Sequence, residues 1–327
     1  MDVSVNPFIS CVIVNWNTKE VLLNCLRSIN ASLKPGSFEI IVIDNASEDG
    51  SADAVEKEFA GVRLTRNSDN RGFAYGVNQG LRAGVGTHFL VLNPDIELKP
   101  GTMEKLLDSF SEPKVGMVSP LLVNSDGSRQ QGYIRKTPNL MQLLLFHTFI
   151  ASWTEGKSRL REKYMEDSGT SADGFIKVDQ LAGACMLVSR QVIEEVGMMD
   201  ENFRLFYEDV DWCYRCRMKG WRIILRTDCE CFHLGGKSFE RQDNYWMHAR
   251  FIMSMLYYFD KHSGWAVRVF SKIVCVSNSV LIVSGKTLYA VVASSGKKNA
   301  IRNSIKKHKY FLHEFADRYL MKGVPNT

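Results

Sequence analysis

The chain has 327 residues, of which 45% are hydrophobic, 11% aromatic and 24% charged. Those values exclude a disordered, collagen-like or disulfide-scaffold protein and leave room for one large domain or a catalytic domain with an appendage. The net charge of +5 is unevenly spread: residues 246–327 carry 13 Lys+Arg and 3 Asp+Glu, or +10, which leaves −5 for residues 1–245. A basic tail on a mildly acidic body points to an anionic partner, either lipid head groups or nucleic acid.

The N-terminal third alternates strand-like and helix-like segments. Ser10–Val14 reads as a buried strand, and Thr18 as the N-cap of a helix whose apolar face is Leu22, Cys25, Leu26, Ile29 and Leu33. Glu39–Asp44 is the next strand, Ser51 to Phe59 a short helix, and Val62–Arg66 a third strand. Phe73, Val77, Gly80, Leu81 and Gly84 mark another helical face, and His88–Leu92 is a fourth strand that ends in the turn Asn93-Pro94-Asp95. Such β-α-β alternation predicts an α/β fold with a mostly parallel central sheet and helices on both faces, its ligands beyond the strand carboxyl ends. The polar clusters at Asn15–Thr18, Asp44–Asp49, Asn67–Gly72 and Asn93–Asp95 are therefore the first candidates for a site.

Residues 127–173 are polar and charged around one apolar run, Leu140 to Ile150, and read as an insertion or acceptor lid within a catalytic domain of residues 1–244. Regular structure resumes at Lys177, with a strand through Leu181–Val188 and a helix capped by Ser189 and stopped at Gly197. A helix around Asp211–Lys219 follows, ending at Gly220, and then a strand over Arg222–Leu225.

Residues 245–327 read as an aromatic, basic, helical tail for membrane association or dimerisation. Between Gly264 and Ser295 the run is strongly apolar, but Arg268, Lys272 and Lys286 interrupt it. The longest uncharged stretch, Ile273 to Gly285, has 13 residues, where a bilayer span takes about 20. Helices lying in a membrane interface are expected instead. No nucleic-acid motif accompanies the charge, so nucleic acid is not an expected partner. Eight cysteines are too sparse for a disulfide framework, and no basic segment precedes the first apolar stretch. Reduced thiols and a cytoplasmic protein, peripheral at the inner face of the plasma membrane, are expected.

Several motifs fail. There is no GxGxxG, and Gly236–Ser238 and Gly285–Thr287 lack a P-loop's first glycine, because Cys231 and Val280 stand there. Cys213-x-x-Cys216 followed by Cys229-x-Cys231 has the thiols of a zinc site or of an ordinary buried core. Asn93-Pro94-Asp95 offers oxygen ligands to a hard divalent ion, or simple turn chemistry. Glu208-Asp209-Val210-Asp211 places three carboxylates among aromatic residues. Such a cluster suits a general base with a raised pKa, or a helix N-terminus whose acids cap amides. His233, before a glycine turn, is a metal ligand or leaving-group partner, or a structural histidine.

These residues together resemble a known family. Val12–Asn17, Val42–Ser51, Asn70–Leu81, Val91–Leu98, Phe206–Trp221 and Cys231–Ser238 look like glycosyltransferase family 2, and within it the rhamnosyltransferase and galactofuranosyltransferase branch. The resemblance implies a GT-A fold, a nucleotide-sugar donor (dTDP- or UDP-linked), Mg²⁺ or Mn²⁺, and an inverting mechanism. It implies that Asn17, Asp44, Arg71, Gly72, Asn78 and Asn93 line the nucleotide-sugar side of the cleft. Asp95 and His233 would hold the metal, with Asn93 replacing the first acid of the usual Asp-x-Asp. Asp209 would be the catalytic base beside Glu208. A glycan or lipid-linked glycan acceptor is the implied partner, and the composition of the tail adds an anionic membrane surface or a homodimer as an expectation. A non-catalytic nucleotide-sugar or glycan-binding protein on the same fold is the alternative.

Overall fold

A computed structural model describes residues 8–130, 136–151, 174–235 and 244–321. The chain divides into two compact units: residues 1–137, 165–204 and 208–240, and residues 138–164, 205–207 and 241–327.

The first unit is built on a nine-stranded sheet. Its first half is β1 (Ile9–Asn15), α1 (Lys19–Ser32), β2 (Phe38–Asp44), α2 (Ser51–Glu58), β3 (Val62–Arg66), α3 (Phe73–Ala83) and β4 (His88–Leu92). Then come β5 (Ile96–Leu98), α4 (Thr102–Asp108), β6 (Val115–Val123), β7 (Phe175–Lys177), β8 (Cys185–Ser189), α6 (Arg190–Val196), α7 (Glu208–Met218) and β9 (Arg222–His233); α5 (Leu140–His147) belongs to the second unit. The strand order is β3-β2-β1-β4-β8-β6-β9-β5, with β7 on β9. β3, β2, β1 and β4 are parallel, as their helical crossovers require, and β6 and β9 are parallel. β8 runs antiparallel between β4 and β6, and β5 antiparallel to β9.

Successive side chains of β1 point to opposite faces, so both faces carry a core. Ile9, Cys11 and Ile13 pack with Leu22, Leu26 and Ile29 of α1. Val12 and Val14 pack with Val77 and Leu81 of α3 and with the fully buried Trp212 of α7. On the second face α3 lies close against β1: a Cβ added at Gly76 would sit 2.7 Å from Val14 Cγ1, and one at Gly80 would overlap Val12 Cγ1.

Four local expectations change. Thr18 stands at the N-cap of α1, but its hydroxyl donates to Asn15 Oδ1 at 2.6 Å, and Asp49 Oδ2 accepts from Lys19 N instead, at 2.8 Å. β8 starts at Cys185 rather than Leu181, because Leu181 N and Gly183 N donate to Cys213 Sγ and Asp209 Oδ2 and not to a ladder. β9 continues past Leu225 to His233, its buried Cys229 and Cys231 alternating with Asp228 and Glu230. The apolar run at 140–150 is not part of the sheet unit. It forms α5 in the second unit, where Phe149 N donates to Asn278 Oδ1 at 2.7 Å. Residues 131–135 and 152–173 of the expected lid lie outside the described residues.

The second unit also holds α8 (Asn244–His262), α9 (Trp265–Val292) and α10 (Ser295–Ala316). All eight cysteines are unpaired and buried, and Cys213 and Cys216 face the core from α7.

Gly80→Ala forces a methyl into Val12 where neither the helix nor the central strand can give way. Overpacking of this kind costs about 1–3 kcal/mol, and a lowered urea midpoint with an unchanged slope is the expected result.

Candidate active site

Because β1 to β4 are parallel, they end at one edge of the sheet, and their last residues start the loops that build the site. Asn45 N donates to Asn15 O and Asn67 N to Asp44 O, each at 2.8 Å, which carries the strand alignment one residue beyond the sheet. Asn15 is fully buried and organises the first loop pair. Its Nδ2, with two hydrogens to share, lies 2.7 Å from Asp44 Oδ1, 2.9 Å from Ser51 Oγ and 3.0 Å from Ser47 Oγ. Asp44 Oδ2 accepts from Ser47 N at 2.9 Å, and Asn17, at φ 53°, accepts from Glu48 N at 2.7 Å. Asn17 and Asp44 are thus brought together through Ser47.

The second loop pair is an amide chain. Asn45 Nδ2 donates to Gly72 O at 3.2 Å, Asn67 Nδ2 to Asn45 Oδ1 at 2.8 Å, and Asn67 and Gln79 exchange two bonds. Gly72 has φ 96°, and any Cβ there would lie 2.7 Å from Arg204 O, so this position admits only glycine. The exposed Arg71 guanidinium stacks on the Tyr75 ring at 3.9 Å. Asn78 does not join this group. It is buried, donates to Met199 O and Glu201 Oε1, and accepts from Met199 N, all within 3.0 Å, so its amide ties α3 to the chain before α7 rather than lining the nucleotide side.

The remaining residues arrive from the second half of the chain because β8 pairs with β4. Asn93 N donates to Ala184 O at 2.8 Å, which sets the turn before β8 at the same edge. There Gly183 N donates to Asp209 Oδ2 at 2.8 Å, while Val210 N donates to Asp209 Oδ1 at 2.8 Å. Both carboxylate oxygens are therefore oriented by main-chain N–H groups. Gly183 leaves room for this contact: an added Cβ would lie 3.4 Å from Asp209 Cβ and 3.3 Å from the Phe73 ring.

The three carboxylates of α7 take three different roles. Asp211 is fully buried and pairs with Arg215 Nε at 2.7 Å, and Arg215 also donates to Val196 O and Met198 O. Asp211 is structural, and removing one partner of such a buried pair costs about 3–5 kcal/mol. Glu208 is buried with Oε2 unpartnered among the described residues. Burial, and then the neighbouring Asp209 charge, push its carboxyl up to about 8. Only Asp209 combines a carboxylate held by N–H donors with a place at the strand ends. The residues before it, Phe206 and Tyr207, have φ of 64° and 70°, a left-handed conformation that costs about 1–2 kcal/mol for each side chain of this kind.

Asp95 and His233 meet because β5 pairs with β9, Ile96 opposite His233, and Leu234 N donates to Asp95 O at 3.0 Å. Asp95 Oδ1 lies 3.5 Å from His233 Nε2. Gln130, which the sequence reading missed, sets the histidine. Its Nε2 donates to His233 O at 2.8 Å and to Asn124 Oδ1 at 2.9 Å, so its Oε1 faces His233 Nδ1 at 2.8 Å. An oxygen acceptor there requires a proton on Nδ1, so in the neutral ring Nε2 carries the lone pair. That nitrogen is buried and has no hydrogen-bond partner among the described residues. A ligand-ready imidazole nitrogen beside a buried carboxylate fits a divalent ion. Among the described residues no third His, Cys, Asp or Glu joins them, so an ion held here would need further oxygen ligands, such as diphosphate or water, of the kind Mg²⁺ usually keeps.

A Rossmann-like parallel edge joined to an antiparallel half, with an acid, a metal-type pair and a polar nucleotide edge, defines a GT-A sugar-nucleotide transferase fold. A family model described as glycosyl transferase family 2 matches residues 10–197, and the chain belongs to that family. The chain is 29% identical over 240 residues to an N-acetylglucosaminyl-diphospho-decaprenol L-rhamnosyltransferase of Mycobacterium tuberculosis, covering 69% of this chain and 76% of that protein. It is 26% identical over 241 residues to a dTDP-rhamnosyl transferase of Shigella flexneri, covering 71% of each. Among solved structures, a mannosyltransferase of Pyrobaculum calidifontis in complex with GDP-mannose and Mn²⁺ superposes with a TM-score of 0.57 at 16% identity, over 95% of this chain and 88% of that one. The Gly236–Ser238 part of the resemblance lies outside the described residues.

Two outcomes follow from this geometry. Gln130→Leu frees the histidine ring to rotate and change tautomer, and losses of this kind weaken metal binding about 10- to 100-fold. Calorimetric titration of Mn²⁺ into the protein with dTDP or UDP present reads the change. Glu208 keeps its proton in the folded chain up to about 8 but releases it near 4.5 when unfolded. The folded state therefore binds more protons across that window, and stability falls as pH rises through it. Glu208→Gln should flatten this fall, so its melting temperature should rise relative to wild type between pH 5 and pH 8.

Proposed function

We propose that this glycosyltransferase moves a rhamnose- or galactofuranose-like sugar from a pyrimidine nucleoside-diphosphate donor to a lipid-linked glycan acceptor, with inversion, in cell-envelope polysaccharide synthesis. The observation that carries the reaction type is Asp209, a carboxylate oriented by Gly183 and Val210 N–H groups at the strand edge where the nucleotide loops end. The names of the rhamnosyltransferases it resembles support the choice of donor and acceptor.

In this reading the acceptor hydroxyl gives its proton to Asp209 as its oxygen attacks the anomeric carbon. The bond to the diphosphate oxygen breaks on the opposite face, and the electron pair leaves with the diphosphate. Glu208, protonated at neutral pH, adds no second negative charge beside the base. Asp95 and Nε2 of His233 would hold a divalent ion, which would supply positive charge near the departing diphosphate. Asp44, Asn17 and the Arg71–Gly72 segment contact the nucleotide, and Asn93 bridges toward the diphosphate. The +10 tail keeps the enzyme at the inner face of the plasma membrane, where a lipid-linked acceptor is found.

Asp209→Asn keeps the side chain's shape and one acceptor oxygen but removes its basicity. Turnover should fall by roughly 10²-fold or more with donor affinity nearly unchanged, measured as nucleoside diphosphate release alongside donor titration. Full turnover in the folded variant would assign the base elsewhere.

A further inference from the structure

Helices of soluble proteins bury an apolar face and expose a polar one. α9 does the opposite. Its inward residues Ser271, Cys275, Asn278 and Ser279 are buried, and polar contacts hold them in place. Asn278 Oδ1 accepts from Phe149 N at 2.7 Å, Ser279 Oγ lies 3.0 Å from His308 Nδ1, and Ser271 Oγ donates to Arg268 O at 3.0 Å. The outward stripe at helical spacing is Val269, Ile273, Val280, Leu281, Leu288 and Val291, exposed from 45% at Val269 to 81% at Val291, with the small uncharged residues Ser277, Ser284 and Thr287 exposed among them. The charges that interrupt the sequence run lie off this stripe. Lys272 pairs with Asp260 at 2.6 Å, Lys286 donates to Ser304 Oγ at 2.6 Å, and Arg268 Nε donates to Ser263 O at 2.7 Å.

A polar interior with an apolar exterior is the arrangement of a helix bathed in hydrocarbon. At 28 residues α9 is also long enough to cross a bilayer. Its neighbour prevents that. α10 runs antiparallel beside it, Ser304 against Lys286 and His308 against Ser279, and exposes Lys297, Lys298, Arg302, Lys306 and Lys309. These charges belong at head groups. Trp265 and Tyr289, exposed near the two ends of α9, are the aromatic residues that favour the same interface.

We infer that α9 lies in the plane of an anionic bilayer, its outward stripe among the acyl chains and the lysines and arginines of α10 on the lipid phosphates. The inference deepens the membrane-side reading above and rests on it. A second copy of the chain is the competing occupant, and the basic residues beside the stripe disfavour it by like-charge repulsion while attracting anionic lipid.

The test uses the full chain and vesicles of phosphatidylglycerol with phosphatidylcholine, or phosphatidylcholine alone. Since all eight native cysteines are buried, Leu281→Cys can be labelled selectively with an environment-sensitive fluorophore, and Glu20→Cys at an exposed position of α1 serves as control. A blue shift at 281 but not at 20, on anionic vesicles only, is expected. Lys298→Glu and Arg302→Glu should each weaken co-sedimentation about fivefold or more, and Ile273→Ser with Leu288→Ser should abolish it. A shift at 281 without lipid, in protein that sediments as a dimer, overturns the inference and assigns the stripe to a subunit interface. Donor turnover, measured on the same proteins, separates the two readings. Turnover without vesicle binding refutes the membrane face and leaves the transferase standing, whereas vesicle binding without turnover does the reverse.

Discussion

The pairing of β8 with β4 is the constraint on which the site depends. Parallel strands β1 to β4 deliver Asn17, Asp44 and Asn93 to their carboxyl edge. An antiparallel strand beside β4 must begin where β4 ends, so the turn before it, with Ala184 O on Asn93 N, lies at that same edge. Gly183 N then holds Asp209, and the second half of the chain acquires a place in the first half's site. β5 and β9 repeat the device for Asp95 and His233. Main-chain register, which does not depend on side-chain flexibility, thus sets both the acid and the metal-type pair.

Three carboxylates within four residues would repel one another if all were ionised in one environment. The fold separates them by surroundings instead. Asp211 spends its charge on Arg215, Glu208 loses its charge to burial, and Asp209 keeps main-chain donors on both oxygens. This is the general way in which neighbouring acids are given different tasks. Gln130 does for His233 what Gly183 does for Asp209: its fixed amide selects which ring nitrogen carries the proton.

The helical unit obeys a different solvent rule from the sheet unit. In the sheet unit apolar side chains fill two cores on either face of β1, and polar groups gather at the strand ends. In the helical unit α9 buries Ser271, Asn278 and Ser279 and exposes most of its large apolar side chains. That inversion is stable in water only at a cost in exposed apolar area, and a lipid surface removes the cost.

Periodicity by itself determined the β-α-β order of residues 9–92 and the helices after Ser189 and before Gly220, because each of those elements buries one face and the 2.0 and 3.6 repeats survive in one dimension. The motif residues were legible for the same local reason: turn polarity after apolar strands. The sequence also showed that the tail is basic and apolar, but a count of uncharged residues in a row hid what spacing around the helix reveals about Arg268, Lys272 and Lys286. Only the tertiary structure decided which polar residue does what. Asn78, within α3, and Asp44, at the end of β2, are both polar residues of the motifs that resemble the family. One is saturated by Met199 and Glu201, the other sits at the edge with Asn15 and Ser47. Gln130 lies 103 residues from His233, and nothing in a polar turn announces such a partner. Hydrogen bonds at that separation are products of strand register, and register is set by the whole sheet rather than by any local run of residues.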